Sequence, residues 1–289
     1  MTDYKNPEYW NSKWERSHII YRGRTMRNRS ELLGIDVRNF ITSNDIILSR
    51  IIKYFRLRRD SYNEPARKCH KFVANVLTFK EDDESVECPE FWQFPFETIQ
   101  TGVGDCEDGA ILLASLMINA GIPSWRVKVA SGFALHLITK KLMGHTYVLY
   151  LADRPDSKRG LEWVILDWCY LKDTKTKIED KPLAKDGGKV NAYKQIWLTF
   201  NDEYCWSADL LEINEARSRS GDSVLSKEEG EIKLEEAYDK LVNYPKKLKK
   251  EFFNVENLAL ILGDPMKLVK MVQKIIEKEG INPNDVDVE

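Results

Sequence analysis

The spacing of apolar residues divides the chain into helical, alternating and unpatterned stretches. Between Ala110 and Ala120 only Ser115 and Asn119 interrupt an apolar run, so a helix there has almost no polar face and belongs inside a domain. Asp105 is a good N-cap, Gly121 offers a left-handed C-cap and Pro123 forbids continuation, which predicts a helix starting at Cys106. Upstream, Ile47, Ile51 and Phe55 fall on one stripe of a helix that Asn44 or Asp45 would cap and that runs through Arg59. Ala66, Cys69 and Val73, with Val76 or Leu77, fall on another over Glu64 to Leu77. Glu81 to Glu87 is acidic and turn-like, and the aromatic segment from Cys88 to Phe96, with two prolines, is expected to be irregular.

After the central helix the period changes to two. Trp125, Val127 and Val129 alternate with Arg126, Lys128 and Ala130, and two further strands are predicted over His145 to Leu151 and Leu161 to Trp168. Asn191 to Trp206 is aromatic and strand-like, placed to close the far side of the core. Beyond Ser207 the pattern turns helical over residues 229–248, 250–262 and 265–279. This order predicts an α+β fold with a catalytic-size core over residues 61–206, an N-terminal arm and helix over 1–60, and a helical appendage over 207–289 that could dock a protein partner.

Composition narrows the class. With 289 residues, 43% of them hydrophobic, and a formal net charge of -2, the chain can bury a substantial core and gives no global electrostatic case for nucleic acid. The run with Arg22, Arg24, Arg27 and Arg29 is short enough to be a solvated face. No apolar run approaches membrane-spanning length and the first residues carry no apolar export segment, so a soluble, cytoplasmic protein is expected. Five cysteines without Cys-x-x-Cys spacing make neither a disulfide framework nor a zinc site.

Three residues carry candidate chemistry. A thiol in the first turn of a helix faces the positive end of the dipole and unpaired N–H groups, which favour a thiolate at Cys106. If the two later strands form a hairpin about Asp156, paired residue numbers sum to about 312, and His145 lies directly opposite Asp167, on one face and ~5 Å away between Cβ atoms. The same register opposes Tyr147 to Ile165 and Leu149 to Trp163, and that face is expected to line the core against the Cys106 helix. Cysteine, histidine and aspartate are the parts of a nucleophile, a general base and an orienting acid. Asp167, at a strand end, is expected to orient His145 with little share in stability. His136 is a competing base without an opposed aspartate, and Cys69, Cys88, Cys169 and Cys205 read as packing thiols.

Gly104-Asp-Cys-Glu-Asp108, the apolar helix ending Ala120-Gly-Ile-Pro123, Gly144-His145 entering a strand and Leu166-Asp167 ending one resemble the transglutaminase-like superfamily. The likeness is greatest to its bacterial and phage cysteine peptidases. The lead-in from Trp92 to Gly102 resembles theirs as well, and the match spans about residues 60–170. The resemblance implies a papain-like core, a central cysteine-bearing helix packed on an antiparallel sheet, and thiolate attack on an amide of a peptide or protein. It implies a Cys106–His145–Asp167 triad with no obligatory cofactor. Water as acceptor gives hydrolysis, a lysine amine gives a crosslink, and a virion-structural or binding protein on the same fold is a third outcome. Gln93, by its place in the lead-in, is a candidate oxyanion donor beside the Cys106 N–H. Asp105, Glu107 and Asp108 are candidate calcium ligands by the same resemblance, or simply acids favoured in a first turn.

Overall fold

A computed structural model describes residues 3–25, 32–58, 61–82 and 91–207. The predicted C-terminal helices, Cys88, Arg27 and Arg29 lie outside the described residues. In chain order the elements are α1 (Pro7–Asn11), β1 (Glu15–Ser17), β2 (Ile20–Thr25), β3 (Leu32–Asp36), α2 (Ile46–Tyr54), α3 (Asn63–Val76), β4 (Thr78–Phe79), α4 (Pro95–Thr101), β5 (Val103–Gly104), α5 (Cys106–Asn119), β6 (Val127–Leu135), β7 (Leu142–Asp153), β8 (Leu161–Leu166), β9 (Tyr193–Phe200) and β10 (Cys205–Ser207). Six strands make one antiparallel sheet in the order β1-β10-β9-β6-β7-β8. Helices and an antiparallel sheet are thus mixed as expected, but β9 lies inside the sheet, between β10 and β6, rather than closing the core's far side.

Local chemistry explains where each helix begins and ends. In α5, Asp105 and Asp108 form a reciprocal capping box, Asp108 Oδ2 accepting the Asp105 N–H at 3.3 Å, which satisfies donors the first turn would leave open. The helix stops where Gly121 turns to φ +97°. Asp45 caps α2, its carboxylate accepting the N–H groups of Ile47 and Leu48 at 2.7 and 3.0 Å. That helix ends at Tyr54, short of Arg59, because Arg56 takes a positive φ. The segment expected to be irregular up to Phe96 instead enters a helix at Pro95. Proline at the first helical position lacks only an N–H that has no partner there, and Glu97 accepts the Phe94 N–H at 2.7 Å.

α5 is the centre of the core. Every residue from Glu107 to Met117 is buried, and the helix packs on α2, α3, α4, β6 and β7. Ile111, Leu112, Leu113 and Leu116 meet Val127 and Val129 of β6, Val148 and Tyr150 of β7 and Leu166 of β8 in one cluster. The same cluster takes in Ile47, Leu48 and Leu57, so residues on both sides of position 60 share one core. Each fully buried aliphatic side chain there contributes roughly 1.5–3 kcal/mol of transfer free energy. The other sheet face carries a smaller cluster of Ala130, Ala134, Tyr147, Leu149 and Tyr193.

The hairpin register differs from the expected one. Val148 pairs with Leu166, Leu149 with Ile165 and Leu151 with Trp163, so pairs sum to 314 rather than 312. The loop is centred on Ser157, not Asp156: Arg154 donates to the Gly160 carbonyl at 2.8 Å, and Gly160 adopts φ +69°. A slip of two is one full pleat and leaves every side chain on its original face, whereas a slip of one would reverse them all. His145 and Asp167 therefore stay on a common face, as diagonal rather than directly opposed neighbours. That face, with Tyr147 and Leu149, is not the one lining the helix core; Val148, Tyr150, Val164 and Leu166 line it instead.

Candidate active site

Cys106 begins α5 and is partly exposed. Its position is held from behind by Trp168, whose Nε1–H donates to the Cys106 carbonyl at 3.2 Å. Trp168 lies against Gly109, where a Cβ would come within 2.2 Å of the indole, so only glycine lets the ring lie this close one turn into the helix. Because Trp168 follows Asp167 directly, one short segment after β8 touches the nucleophile's backbone with one residue and supplies the acid with the residue before it.

His145 stands near the start of β7 and is 6% exposed; Asp167 is 2% exposed. Their contact is short, His145 Nε2 to Asp167 Oδ2 at 2.7 Å. An ionised carboxylate only accepts, so Nε2 carries the proton and Nδ1 is the nitrogen left for a thiol. Cys106 lies near enough to the same imidazole to act on its charge, raising the His145 pKa. The thiol has a second neighbour, Glu107 Oε2, at 3.3 Å. Burial acts to lower the His145 pKa, but the charge of Asp167, its hydrogen bond and Cys106 outweigh burial and raise it to about 10. Burial likewise acts to raise Asp167, and His145 and the surrounding donors overcome it, holding the carboxyl below its ordinary range.

Asp167 is more deeply held than a strand-end residue needs to be. Its Oδ1 accepts the N–H groups of Cys169 and Tyr170 at 3.0 and 3.1 Å, and its Oδ2 accepts the Tyr193 hydroxyl at 2.6 Å. Its backbone carbonyl accepts from His70 of α3 at 2.8 Å. A carbonyl cannot donate, so His70 Nε2 bears the proton, and burial keeps that ring neutral by lowering its pKa to about 4. Neither Tyr193 nor His70 was found from the sequence. Tyr193 lies in a run of strand aromatics with nothing to single it out, and His70 falls between stripe positions of α3.

The acids around the nucleophile divide by environment. Asp108 is fully buried and accepts the Gln93 N–H and the Gln93 side-chain amide, both at 2.7 Å. The Gln93 amide also reaches the Val103 carbonyl at 3.4 Å, while its oxygen accepts from Thr101. The structure thus directs the donors of Gln93 to Asp108 and Val103. Asp82, which the sequence did not single out, joins Asp105 and Asp108 with one oxygen each inside 4.8 Å. Burial first, then mutual repulsion, raises the Asp108 pKa well above the carboxylate range, and burial raises Asp105. Ca²⁺ takes six to eight oxygens. Among the described residues this cluster offers three carboxylate side chains, of which Asp108 already accepts N–H groups on both oxygens.

The remaining candidates sit elsewhere. His136 turns its Nδ1 to the Thr139 N–H and hydroxyl at 3.1 and 3.0 Å, closing its own turn. Cys69 and Cys205 are buried, and burial raises both thiols, Cys205 to about 12. Cys169 is raised too, by burial and then by the charge of Asp167.

Neither a protein-family model nor a curated protein matches this chain. Among solved structures, Legionella pneumophila LapG in an EGTA-treated form is 24% identical over 54% of this chain and 72% of its own, with a TM-score of 0.38. A second LapG structure is 23% identical over 56% and 79%, with a TM-score of 0.37. The calcium-bound form of the same protein is 20% identical over 60% and 98%, with a TM-score of 0.34. These are overall similarities between chains; the chemistry of the site rests on the residues and distances given above.

Proposed function

We propose that the protein is a cysteine-dependent amide hydrolase, a peptidase of the transglutaminase-like kind, in which Cys106 is the nucleophile, His145 the proton carrier and Asp167 its anchor. The observation that supports this most is the His145 imidazole, held at 2.7 Å by a buried carboxylate through Nε2, with Cys106 close enough to act on its charge. Cys106 sulfur attacks the amide carbonyl carbon, and the C–N bond breaks as His145 gives its proton to the leaving amine. The acyl group stays on sulfur as a thioester. His145 then takes a proton from water, the hydroxide displaces the thiolate, and a free acid leaves. In this reading the N–H of Cys106, at the α5 N-terminus, stabilises the oxyanion. The substrate is a peptide or protein that offers an amide at the partly exposed thiol.

The same residues would serve acyl transfer with a lysine amine in place of water. Supplying a glutamine peptide together with a primary amine separates the two. Free acid as main product, absent in Cys106→Ser, supports the hydrolase; predominant isopeptide overturns that order, and no Cys106-dependent product at all leaves a binding protein.

A further inference from the structure

Two side-chain donors meet on one oxygen at Asp167, which the Leu171 N–H also reaches at a longer 3.4 Å. Oδ2 receives the His145 Nε2–H at 2.7 Å and the Tyr193 hydroxyl at 2.6 Å. Tyr193 comes from β9, a strand that lies three places from β8 in the sheet and supplies none of the three triad residues. Its ring is 2% exposed, lies 6.2 Å from the imidazole and packs edge-on against Tyr147 at 4.7 Å. The hydroxyl is thus aimed at the carboxylate by packing on both sides. We propose that Tyr193 is a positioning residue for the proposed triad: its hydroxyl fixes Asp167 Oδ2 and, by sharing that oxygen, limits how tightly the carboxylate holds the imidazolium.

The physical argument is one of competition. A carboxylate oxygen that already accepts a short, charge-assisted bond from a phenol carries less charge to offer a second donor. Without the phenol, that attraction falls on His145 and the longer Leu171 N–H alone. An imidazolium held too tightly keeps its proton and is a poorer acid toward the leaving amine. Burial and the adjoining carboxylate favour the neutral phenol, raising the Tyr193 pKa, so it remains a donor through the working range. The other titratable groups on the pair come from different elements. Cys106 and Tyr170 face the imidazole, and Cys169 faces the carboxylate. His70 reaches only the Asp167 carbonyl. A small cavity on the far side of Asp167 brings in Asp173, Lys181 and Lys189, of which Lys181 is paired with Asp173 at 3.8 Å. Among these described groups only Tyr193 and His145 donate side-chain N–H or O–H bonds to Oδ2.

The inference rests on the hydrolase reading for its catalytic consequence, but its first readout does not need catalysis. The His145 ring is followed by NMR in histidine-labelled protein across pH, in wild type and Tyr193→Phe, with the resonance assigned by its loss in His145→Gln. The Phe variant should raise the His145 midpoint by about one unit, a tenfold change in proton binding. The alkaline limb of the hydrolysis profile should shift the same way, with kcat at neutral pH down about tenfold and KM little changed. Site-specific 3-fluorotyrosine at position 193, a stronger donor of the same shape, should move the midpoint down, which guards against a Phe variant that misfolds. An unmoved midpoint in both variants overturns the proposal even if hydrolysis is lost. A midpoint that moves as stated in a protein that hydrolyses nothing retains the role of Tyr193 and removes the hydrolase reading.

Discussion

Gly109→Ala tests whether the packing of Trp168 on α5 positions the nucleophile. Alanine is the better helix former by about 1 kcal/mol, so in an open helix the change would stabilise. Here the new Cβ would sit 2.2 Å from Cε2 and Nε1 of Trp168 and 2.6 Å from Cδ2, well inside van der Waals contact. Trp168 is 2% exposed and cannot swing into solvent without opening the core. Overpacking of this kind costs about 1–3 kcal/mol, and displacing the indole from the Cys106 carbonyl removes a hydrogen bond worth about 1 kcal/mol. The expected net loss is about 1–3 kcal/mol, read as a lowered melting temperature in calorimetry. Labelling of Cys106 should slow as well, because the displaced ring adjoins both Cys106 and Asp167. In a Trp168→Phe background, which lacks Nε1 and the fused second ring, the cost of Gly109→Ala should shrink. A variant that melts at or above wild type would refute the reasoning, since propensity would then have won.

Asp167→Ala should abolish turnover and also destabilise by roughly 3–5 kcal/mol, because it leaves a buried imidazolium and several buried donors without their acceptor. A melt within error of wild type would return Asp167 to the purely orienting role expected of a strand end. The pH dependence of stability carries two opposed contributions. His145, raised to about 10 from about 6.5 unfolded, stabilises fully below pH 6.5, and this is lost as pH rises toward 10. Lys128 lies over the Trp206 ring at 3.5 Å and is lowered to about 7 by burial. It therefore penalises the fold below pH 7, a penalty relieved as pH rises toward the unfolded value of about 10.4. Denaturant midpoints between pH 7 and 10 should fall more steeply with pH in Lys128→Met than in wild type and rise with pH in His145→Gln. Parallel curves for the three proteins would rule out either titration.

Much of this architecture is legible in the residues because the signals are local. Asp105, Gly121 and Pro123 bracket α5, and the unbroken apolar run between them needs no tertiary information to be placed in a core. The hairpin register is less secure because loop asymmetry decides it: Gly160 accepts a positive φ and moves the centre by one residue, which no strand pattern reports. The candidate pair survived the error because a shift of two preserves faces. The choice of which face meets α5 is not readable, since leucine and tyrosine occur on both. Pro95 belongs to a segment whose two prolines read as irregular chain, although with Glu97 two residues later it is a helix start. Tyr193 and His70 are not marked in the sequence because their roles depend on contacts across 26 and 97 residues of chain, with only a common residue type to show for them.

Iodoacetamide labelling at pH 6, mapped by peptide mass spectrometry, tests the central claim most directly. The other described cysteines are each held protonated by burial, whereas Cys106 is partly exposed at a helix start beside His145. The predicted result is a single fast adduct at Cys106 that slows strongly in His145→Gln and tracks loss of amide hydrolysis mole for mole. Fast labelling of Cys69, Cys88, Cys169 or Cys205 with Cys106 silent, or a Cys106 rate indifferent to His145, would contradict the assignment of Cys106 as the nucleophile.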